Sequence, residues 1–391
     1  MTRIRLKDAC ESVDYGLTAS AEWTGVGPKF IRITDIVGGL YDLSTVPRVS
    51  IEPDVEKKYT VSNGDILVAR TGASVGESYF HNLGDGSVFA SYLVRFRVNS
   101  DFDPRFVYYA TRTQEWRNYI GSNANAKSAQ PNIGASAMGE FVFEVPGQST
   151  QRAIGEVLGA LDDKIAANHA AITAGKELMQ VQWAQMSAAA TRSYSLDEVV
   201  ELNPRTRLAL EGPHPFLDMK DLPQNGLLAD RWSARESRSG SKFRNGDTLL
   251  ARITPCFENG KAGLVDFLPP EVTGLGSSEY IVLRPKDGTP QAIAYCIATS
   301  ESFRAHAARG MTGTSGRQRV QAANIGDYPV GWPEQNVIDG FGDFSDALVR
   351  RLSAARNENS VLTRTRDELL PLLMDGRITV EDAERAAEPV L

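Results

Sequence analysis

The chain has 391 residues, 42% of them hydrophobic and 23% charged, with a formal net charge of −7. Ordinary apolar content at this length suffices for two domains, each with its own core, and the acidic balance excludes a protein that holds nucleic acid by bulk charge alone. The cysteines (Cys10, Cys256, Cys296) lack metal-ligand spacing and read as reduced thiols, so no bound metal is implied.

The N-terminal stretch Met1 to Asp8 alternates polar with apolar residues, without the apolar block of a secretory signal, and no run approaches the ~18 apolar residues of a membrane span. The expected location is cytoplasmic. Phe30-Ile31-Arg32-Ile33 and Asp35 to Leu40 read as short strands, as does the apolar run Asp65 to Ala69 after the turn signal Asn63-Gly64. The following loop, Thr71 to Gly76, is Gly-rich, a pattern shared by phosphate cradles and by tight strand connections. A strand-like run, Ser91 to Phe96, precedes a helical aromatic/Arg segment ending near Trp116-Arg117. A polar loop then spans Gly121 to Gln130, before Asn132-Ile133-Gly134.

From Gln151 to Met186 apolar residues follow a heptad. One seam is Leu158, Ile165, Ile172, Met179 and Met186; the other, Ile154, Leu161, Asn168, Gly175 and Gln182, grows polar toward its C-terminal end. At ~1.5 Å per residue this helix is roughly 54 Å long, more than one turn of DNA (about 34–36 Å).

The same series of features then recurs. Asn63-Gly64-Asp65-Ile66-Leu67-Val68-Ala69-Arg70 returns as Asn245-Gly246-Asp247-Thr248-Leu249-Leu250-Ala251-Arg252, followed by a Gly-containing loop, Ile253 to Lys261. Neither loop matches the phosphate-binding G-x-x-x-x-G-K-[ST] motif. Ser278 to Leu283 repeats the strand-like run, Phe303-Arg304 the helical segment, Gly310 to Arg319 the polar loop and Asn324-Ile325-Gly326 the tripeptide. A second seam runs through Leu348, Leu352, Ala355, Asn359, Leu362, Arg366, Leu369 and Leu373, with Asn359 and Arg366 interrupting it. The chain is therefore a tandem duplication of the α+β class, and the two long helices are expected to pair antiparallel within one chain.

Each motif carries a functional and a structural reading. A repeated aspartate at a turn, Asp65 or Asp247, suits catalysis or a carboxylate that locks the turn by accepting backbone N–H bonds. Cations cluster from Arg231 to Arg252 and from Arg304 to Arg319, as site-limited phosphate contacts or as solvated patches. The two polar loops carry the amides, hydroxyls and cations that read base edges, a composition shared with flexible linkers. Enzyme signatures are missing. Asn203-Pro204-Arg205 fails at its third position as an amino-methyltransferase tetrad, Pro53 to Lys57 has no counterpart in the second copy, and the histidines form no ligand set.

These segments together resemble the specificity subunit of type I restriction-modification enzymes. The resemblance is carried by Tyr15 to Ala19, Phe30 to Ile36, Asn63 to Gly76, Phe243 to Cys256 with Glu258 to Lys261, Gly276 to Tyr280, Gln151 to Ile165 and Leu369 to Ile378. It implies two mixed α/β target-recognition domains (1–148 and 192–332) and a central and a C-terminal conserved helix (149–191 and 333–376), pairing as an antiparallel coiled coil in a pseudo-twofold molecule, with a tail over 377–391. It implies that each domain reads one half of a bipartite site in double-stranded DNA, while the helices set the spacer and dock two modification subunits, with restriction/translocase subunits able to join. S-adenosylmethionine, and ATP with Mg in a full restriction complex, would enter through those subunits. This chain would hold no cofactor or catalytic residue. Carried over by position, the DNA-facing candidates are Arg70, Thr71, Ser74, Asn123, Asn125, Lys127, Ser128 and Gln130 in the first unit. In the second they are Arg252, Thr312, Thr314, Ser315, Arg317, Gln318 and Arg319, with Arg235, Arg238 and Lys242 on phosphate. Helix pairing falls to Ile154, Leu158, Leu161, Ile165, Ile172, Met179, Leu348, Leu352, Leu362 and Leu369. Two other readings compete: a stand-alone DNA methyltransferase or endonuclease, and an interaction scaffold that no longer reads DNA.

Overall fold

The computed structural model describes residues 2–23, 25–37, 46–124, 131–209, 212–314 and 316–391. By contacts the chain divides into two units, residues 1–166 with 361–391 and residues 167–360. Each unit holds one sheet-bearing head and parts of both long helices.

The first head contains β1 (Thr2–Arg5), β2 (Cys10–Tyr15), β3 (Phe30–Ile31), α1 (Ile33–Ile36), α2 (Pro53–Tyr59), β4 (Ile66–Ala69), β5 (Ser78–Phe80), β6 (Val88–Phe89) and β7 (Leu93–Val98). It continues with α3 (Pro104–Ala110), α4 (Gln114–Asn123), α5 (Ala135–Gly139) and β8 (Val142–Val145), and leads into the long helix α6 (Gln148–Ala188). The second head runs through β9 (Arg192–Ser195), α7 (Leu196–Val199), β10 (Val200–Leu202), β11 (His214–Leu217), β12 (Ser233–Arg235), β13 (Ser241–Phe243), β14 (Thr248–Ala251) and β15 (Ala262–Leu264). Then follow β16 (Gly274–Gly276), β17 (Tyr280–Pro285), α8 (Gln291–Thr299), α9 (Glu301–Arg309), β18 (Pro329–Trp332), the long helix α10 (Gln335–Met374) and α11 (Val380–Ala387).

The duplication extends to strand pairing. The antiparallel order β2-β7-β4-β5 recurs as β10-β17-β14-β15, and the antiparallel pair β1/β8 recurs as β9/β18. The parallel pair β3/β6 recurs as β11/β16, flanked in the second head by β12 and β13. The central strands β4 and β14 are buried at every position, and apolar at all but Thr248, because both their faces are covered. Ile66 and Val68 face one core of the first head, Leu67 and Ala69 another. In the second head Leu250 faces one core, and Leu249 and Ala251 face another.

The repeated aspartate is structural. Asp65 and Asp247 are each 1% exposed. The Asp65 carboxylate accepts Ser62 N–H at 2.8 Å and a two-pronged bond from Arg97, at 2.8 and 2.7 Å. Asp247 accepts Arg244 N–H at 2.8 Å and the Arg284 fork at 2.7 and 2.6 Å. Each carboxylate thus accepts the N–H that closes the turn before the central strand and also the guanidinium of an arginine on the neighbouring strand.

Within each unit the long helices pack together. In the first, Ile154, Leu158, Leu161 and Ile165 share a core with Leu362, Leu369 and Leu373. In the second, Met179 and Leu352 share a core against which Ile172 and Leu348 pack. The two interruptions of the α10 seam are paired. Asn168 donates to Asn359 Oδ1 at 2.9 Å and to Glu358 at 2.6 Å. Arg366 donates to Asp162 of α6 at 2.5 Å, and the same carboxylate accepts the Tyr109 hydroxyl of α3 at 2.7 Å. Gly175 permits a close approach of the helices, since a Cβ there would press on Leu352, 3.0 Å from both its methyls. Residues later along α6 meet residues earlier along α10, so the pairing is antiparallel.

Three expectations need correction. Ile33 to Ile36 is a helical turn, not a strand, because Asp35 accepts the Arg32 N–H at 2.7 Å and caps it. Asn123 lies on α4 rather than in a loop, its amide donating to the Tyr119 carbonyl at 2.8 Å. The segment read as a tail carries α11, capped by Thr379 accepting Asp382 N–H at 3.1 Å, with Ala383 and Ala387 buried in the core of the first unit.

Two outcomes are expected. Arg284→Met strands a buried carboxylate and should cost roughly 3–5 kcal/mol of stability in denaturant unfolding; a loss below about 1 kcal/mol would place this pair with weak surface bridges. Asn168→Ala removes the donor to Asn359 and should cost about 1–3 kcal/mol. The Asn168→Leu/Asn359→Leu double variant should recover that loss in the same assay, since an apolar layer needs no partner.

Candidate nucleic-acid interface

The strand-end arginines Arg70 and Arg252 sit in the same backbone frame. Arg70 N–H donates to the Tyr92 carbonyl at 3.0 Å and its carbonyl accepts Ile133 N–H at 3.0 Å. Arg252 N–H donates to the Glu279 carbonyl at 2.9 Å and its carbonyl accepts Val320 N–H at 2.8 Å. One residue on, Thr71 bridges to Asn132 and Ile253 to Arg319. Tyr92 and Glu279 therefore hold equivalent places, as do Asn132 and Arg319.

The side chains on this frame differ. Arg70 lies 4.7 Å from the centroid of the Tyr15 ring and donates to Asn132 Oδ1 at 3.3 Å; the Tyr15 hydroxyl in turn accepts Ala135 N–H at 2.9 Å. In the second head Glu279 occupies the space between two cations. Arg319 donates from Nε at 3.0 Å and from Nη2 at 2.8 Å, while Arg252 Nε stands 3.8 Å away. The hydrogen bonds from Arg319 hold the Glu279 carboxyl below the usual carboxylate range. Arg252 also donates to Gln321 at 3.2 Å, and Gln321 to the Thr312 hydroxyl at 2.8 Å.

The second polar loop is a short hairpin rather than a linker. Thr312 and Arg319 exchange backbone hydrogen bonds at 3.0 and 2.8 Å, and Arg317 N–H donates to Thr314 at 3.0 Å. Gly313 takes a φ of +130°, and a Cβ there would lie 2.7 Å from the Arg317 carbonyl. The tip presents Thr312, Thr314, Arg317 and Gln318 to solvent, with Arg319 half-buried. Asn125, Lys127, Ser128, Gln130 and Ser315 lie outside the described residues.

The Gly-rich loops act as turns. Val75 and Gly76 donate their N–H groups to the Gly72 and Ala69 carbonyls, and Phe257 and Asn259 donate theirs to Ile253 and Pro255, so these groups are spent internally. Thr71 and Ser74 are half-buried in the first of these turns. Arg235 on β12 is paired with Asp218 and lies 4.1 Å from the Phe216 ring centroid, so a phosphate contact there competes with an existing bridge. Lys242 is half-buried on β13, and Arg238 is exposed. The structure brings together Arg252, Thr312 and Arg319; among the described residues it does not bring Arg70 into such a cation pair.

Tyr15, Tyr92, Glu279 and Gln321 join the arginines at these strand ends, although the polar loops alone gave no sign of them. Aligning the two repeats residue by residue would have found Tyr92 and Glu279. Asn203, in the failed methyltransferase motif, is a turn residue whose Oδ1 accepts Val282 N–H at 3.0 Å. Pro53 to Lys57 lies on α2 with Asp54 exposed. Among the described residues, no cluster of His, Cys, Asp and Glu could hold a metal ion, and no helix is long and apolar enough to cross a membrane.

Comparison with known proteins agrees with this construction. Residues 3–174 match the family described as type I restriction modification DNA specificity domain. The chain is 28% identical over 208 residues to the EcoAI specificity subunit of the type I restriction enzyme from Escherichia coli, covering 49% of this chain and 34% of that protein. The EcoEI specificity subunit from the same organism is 28% identical over 209 residues, with the same 49% and 34% coverage. The matched stretch thus spans only about a third of these curated relatives. The fold matches the crystal structure of the type I restriction-modification S subunit from M. genitalium, at a TM-score of 0.55 and 15% identity over 95% of both chains. Residues 3–174 thus match a type I restriction modification DNA specificity domain, and the duplicated heads and paired long helices share the fold of a type I restriction-modification S subunit, so the chain is similar to type I specificity subunits.

Proposed function

We propose that this chain is the non-catalytic DNA reader of a type I restriction-modification complex, each head reading one half of a bipartite site in double-stranded DNA. The observation that carries the reading is the repeated strand-end frame: the same arginine, on the same hydrogen bonds, in two heads whose surrounding side chains differ. A constant frame with variable side chains suits two readers of different sequences. Arginine donors and loop amides match base edges in the major groove, and local cations on a chain of net charge −7 favour site-limited over bulk DNA binding.

In this reading α6 and α10 set the spacer between half-sites and dock two modification subunits, with restriction/translocase subunits joining a full complex. The modification subunits bring S-adenosylmethionine and extrude the target base for methylation; ATP and Mg serve the restriction complex. The chain itself contributes recognition, positioning and assembly surfaces.

The test is long-read methylation sequencing of DNA from cells that express this chain with its modification subunit, against cells with that subunit alone. A bipartite N6-methyladenine motif that requires this chain is the expected outcome; an intact, active complex with no new motif would overturn the reading. Arg70→Ala should relax one half-site and leave the other unchanged in the same assay. Inserting or deleting a few residues within 151–186 should alter the preferred spacer, and a change in the half-site sequences instead would refute the ruler.

A further inference from the structure

We infer that Glu279 is a specificity-determining positioning residue, which holds Arg319, with Arg252 beside it, as a fixed donor fork for a guanine in the half-site of the second head. The inference rests on the DNA-reading function proposed above and adds to it the chemistry of one base.

The geometry is that of a buttressed arginine. A guanidinium carries five N–H donors in a rigid plane. Glu279 takes the Nε proton and one proton of Nη2, at 3.0 and 2.8 Å. The opposite edge, the second Nη2 proton and those of Nη1, is left for a ligand; Nη1 makes only a long 3.4 Å contact with the Arg317 carbonyl. Two parallel donors match the O6 and N7 acceptors that guanine presents in the major groove, whereas adenine offers a donor at N6 where the fork needs an acceptor. Holding the fork in place beforehand removes part of the ordering cost of binding.

Charge favours the arrangement. Glu279 alone would repel DNA, but the carboxylate stands between two guanidinium groups, so the trio presents a net positive charge. The hairpin does not need Glu279 for closure, because Thr312 and Arg319 already exchange two backbone bonds and Gln321 ties the Thr312 hydroxyl. In the first head the equivalent place is Tyr92, which has no carboxylate, and Arg70 is held instead by the Tyr15 ring and Asn132. The two heads thus steady their arginines by different means.

The experiment uses the full chain in complex with its modification subunit and reads the methylation motif for the native protein and for Arg319→Ala, Arg319→Lys and Glu279→Gln. Thermal melting of each complex confirms that it is folded. The native motif should contain a guanine at one position that Arg319→Ala relaxes on the order of 10- to 100-fold, with the other half-site and the spacer unchanged. Arg319→Lys should fail to restore it, since an ammonium is a point charge without a fork, and Glu279→Gln should relax the same position to a smaller extent. An unchanged motif in Arg319→Ala, relaxation at a base other than guanine, or full retention by Arg319→Lys, as a phosphate contact predicts, would overturn the inference while leaving the reader function standing. An intact native complex that yields no motif would overturn both.

Discussion

The apolar seams of the two long helices are the constraint on which each unit depends. In the first unit one continuous core runs from Ile66 and Phe96 of the sheet through Phe106 and Tyr109 of α3 to Leu158 and Leu161 of α6, and on to Leu362 and Leu369 of α10. The sheet face cannot be covered without α6, and α6 cannot be covered without α10. Head and helix pair are therefore one packing problem, and the burial of large side chains, worth roughly 1.5–3 kcal/mol each, is shared between them.

Polar residues inside that packing supply specificity of arrangement rather than adhesion. Apolar seams alone tolerate sliding by a heptad; a buried amide pair does not, because slippage leaves its donors and acceptors without partners. Asn168 with Asn359 serves this role in the second unit. In the first, Asp162 accepts bonds from both Arg366 of α10 and Tyr109 of the head, so one carboxylate ties the helix register to the seat of the head. Burial lowers the intrinsic tendency of Arg366 to stay charged, but Asp162 outweighs it, and the guanidinium is held more firmly protonated than usual. Each of these polar pins thereby fixes the register of the helices within its own unit.

Much of this architecture was legible in the residues. The repeat of Asn-Gly-Asp before an apolar run identifies corresponding central strands, and the structure places both in sheets of the same order. Of the two roles open to Asp65 and Asp247 at an Asn-Gly turn, the hydrogen bonds of the structure select turn-locking. Asn359 and Arg366 are visible as breaks in a heptad, but a break names no partner; Asn168 and Asp162 become their partners through packing of residues 191 and 204 positions apart. Local carboxylates also misled the reading of strands: Asp35 caps a helical turn in a segment whose apolar content suited a strand. Cation clustering in the second half was real as composition, yet Arg235 and Arg319 are both engaged by acids, Asp218 and Glu279, that lie far from them in sequence.

By itself the sequence determined the duplication, the α+β class, the helix seams and the family resemblance, because each is written in local periodicity or in residues repeated at corresponding places. Only the tertiary structure decided that Glu279 lies between Arg252 and Arg319, that Arg70 rests on Tyr15, that Asp162 joins three elements and that α11 closes the first core. The physical reason is common to all four. Each depends on side chains brought within hydrogen-bonding or van der Waals reach by strand register and helix packing, and neither register nor packing is encoded in any one segment.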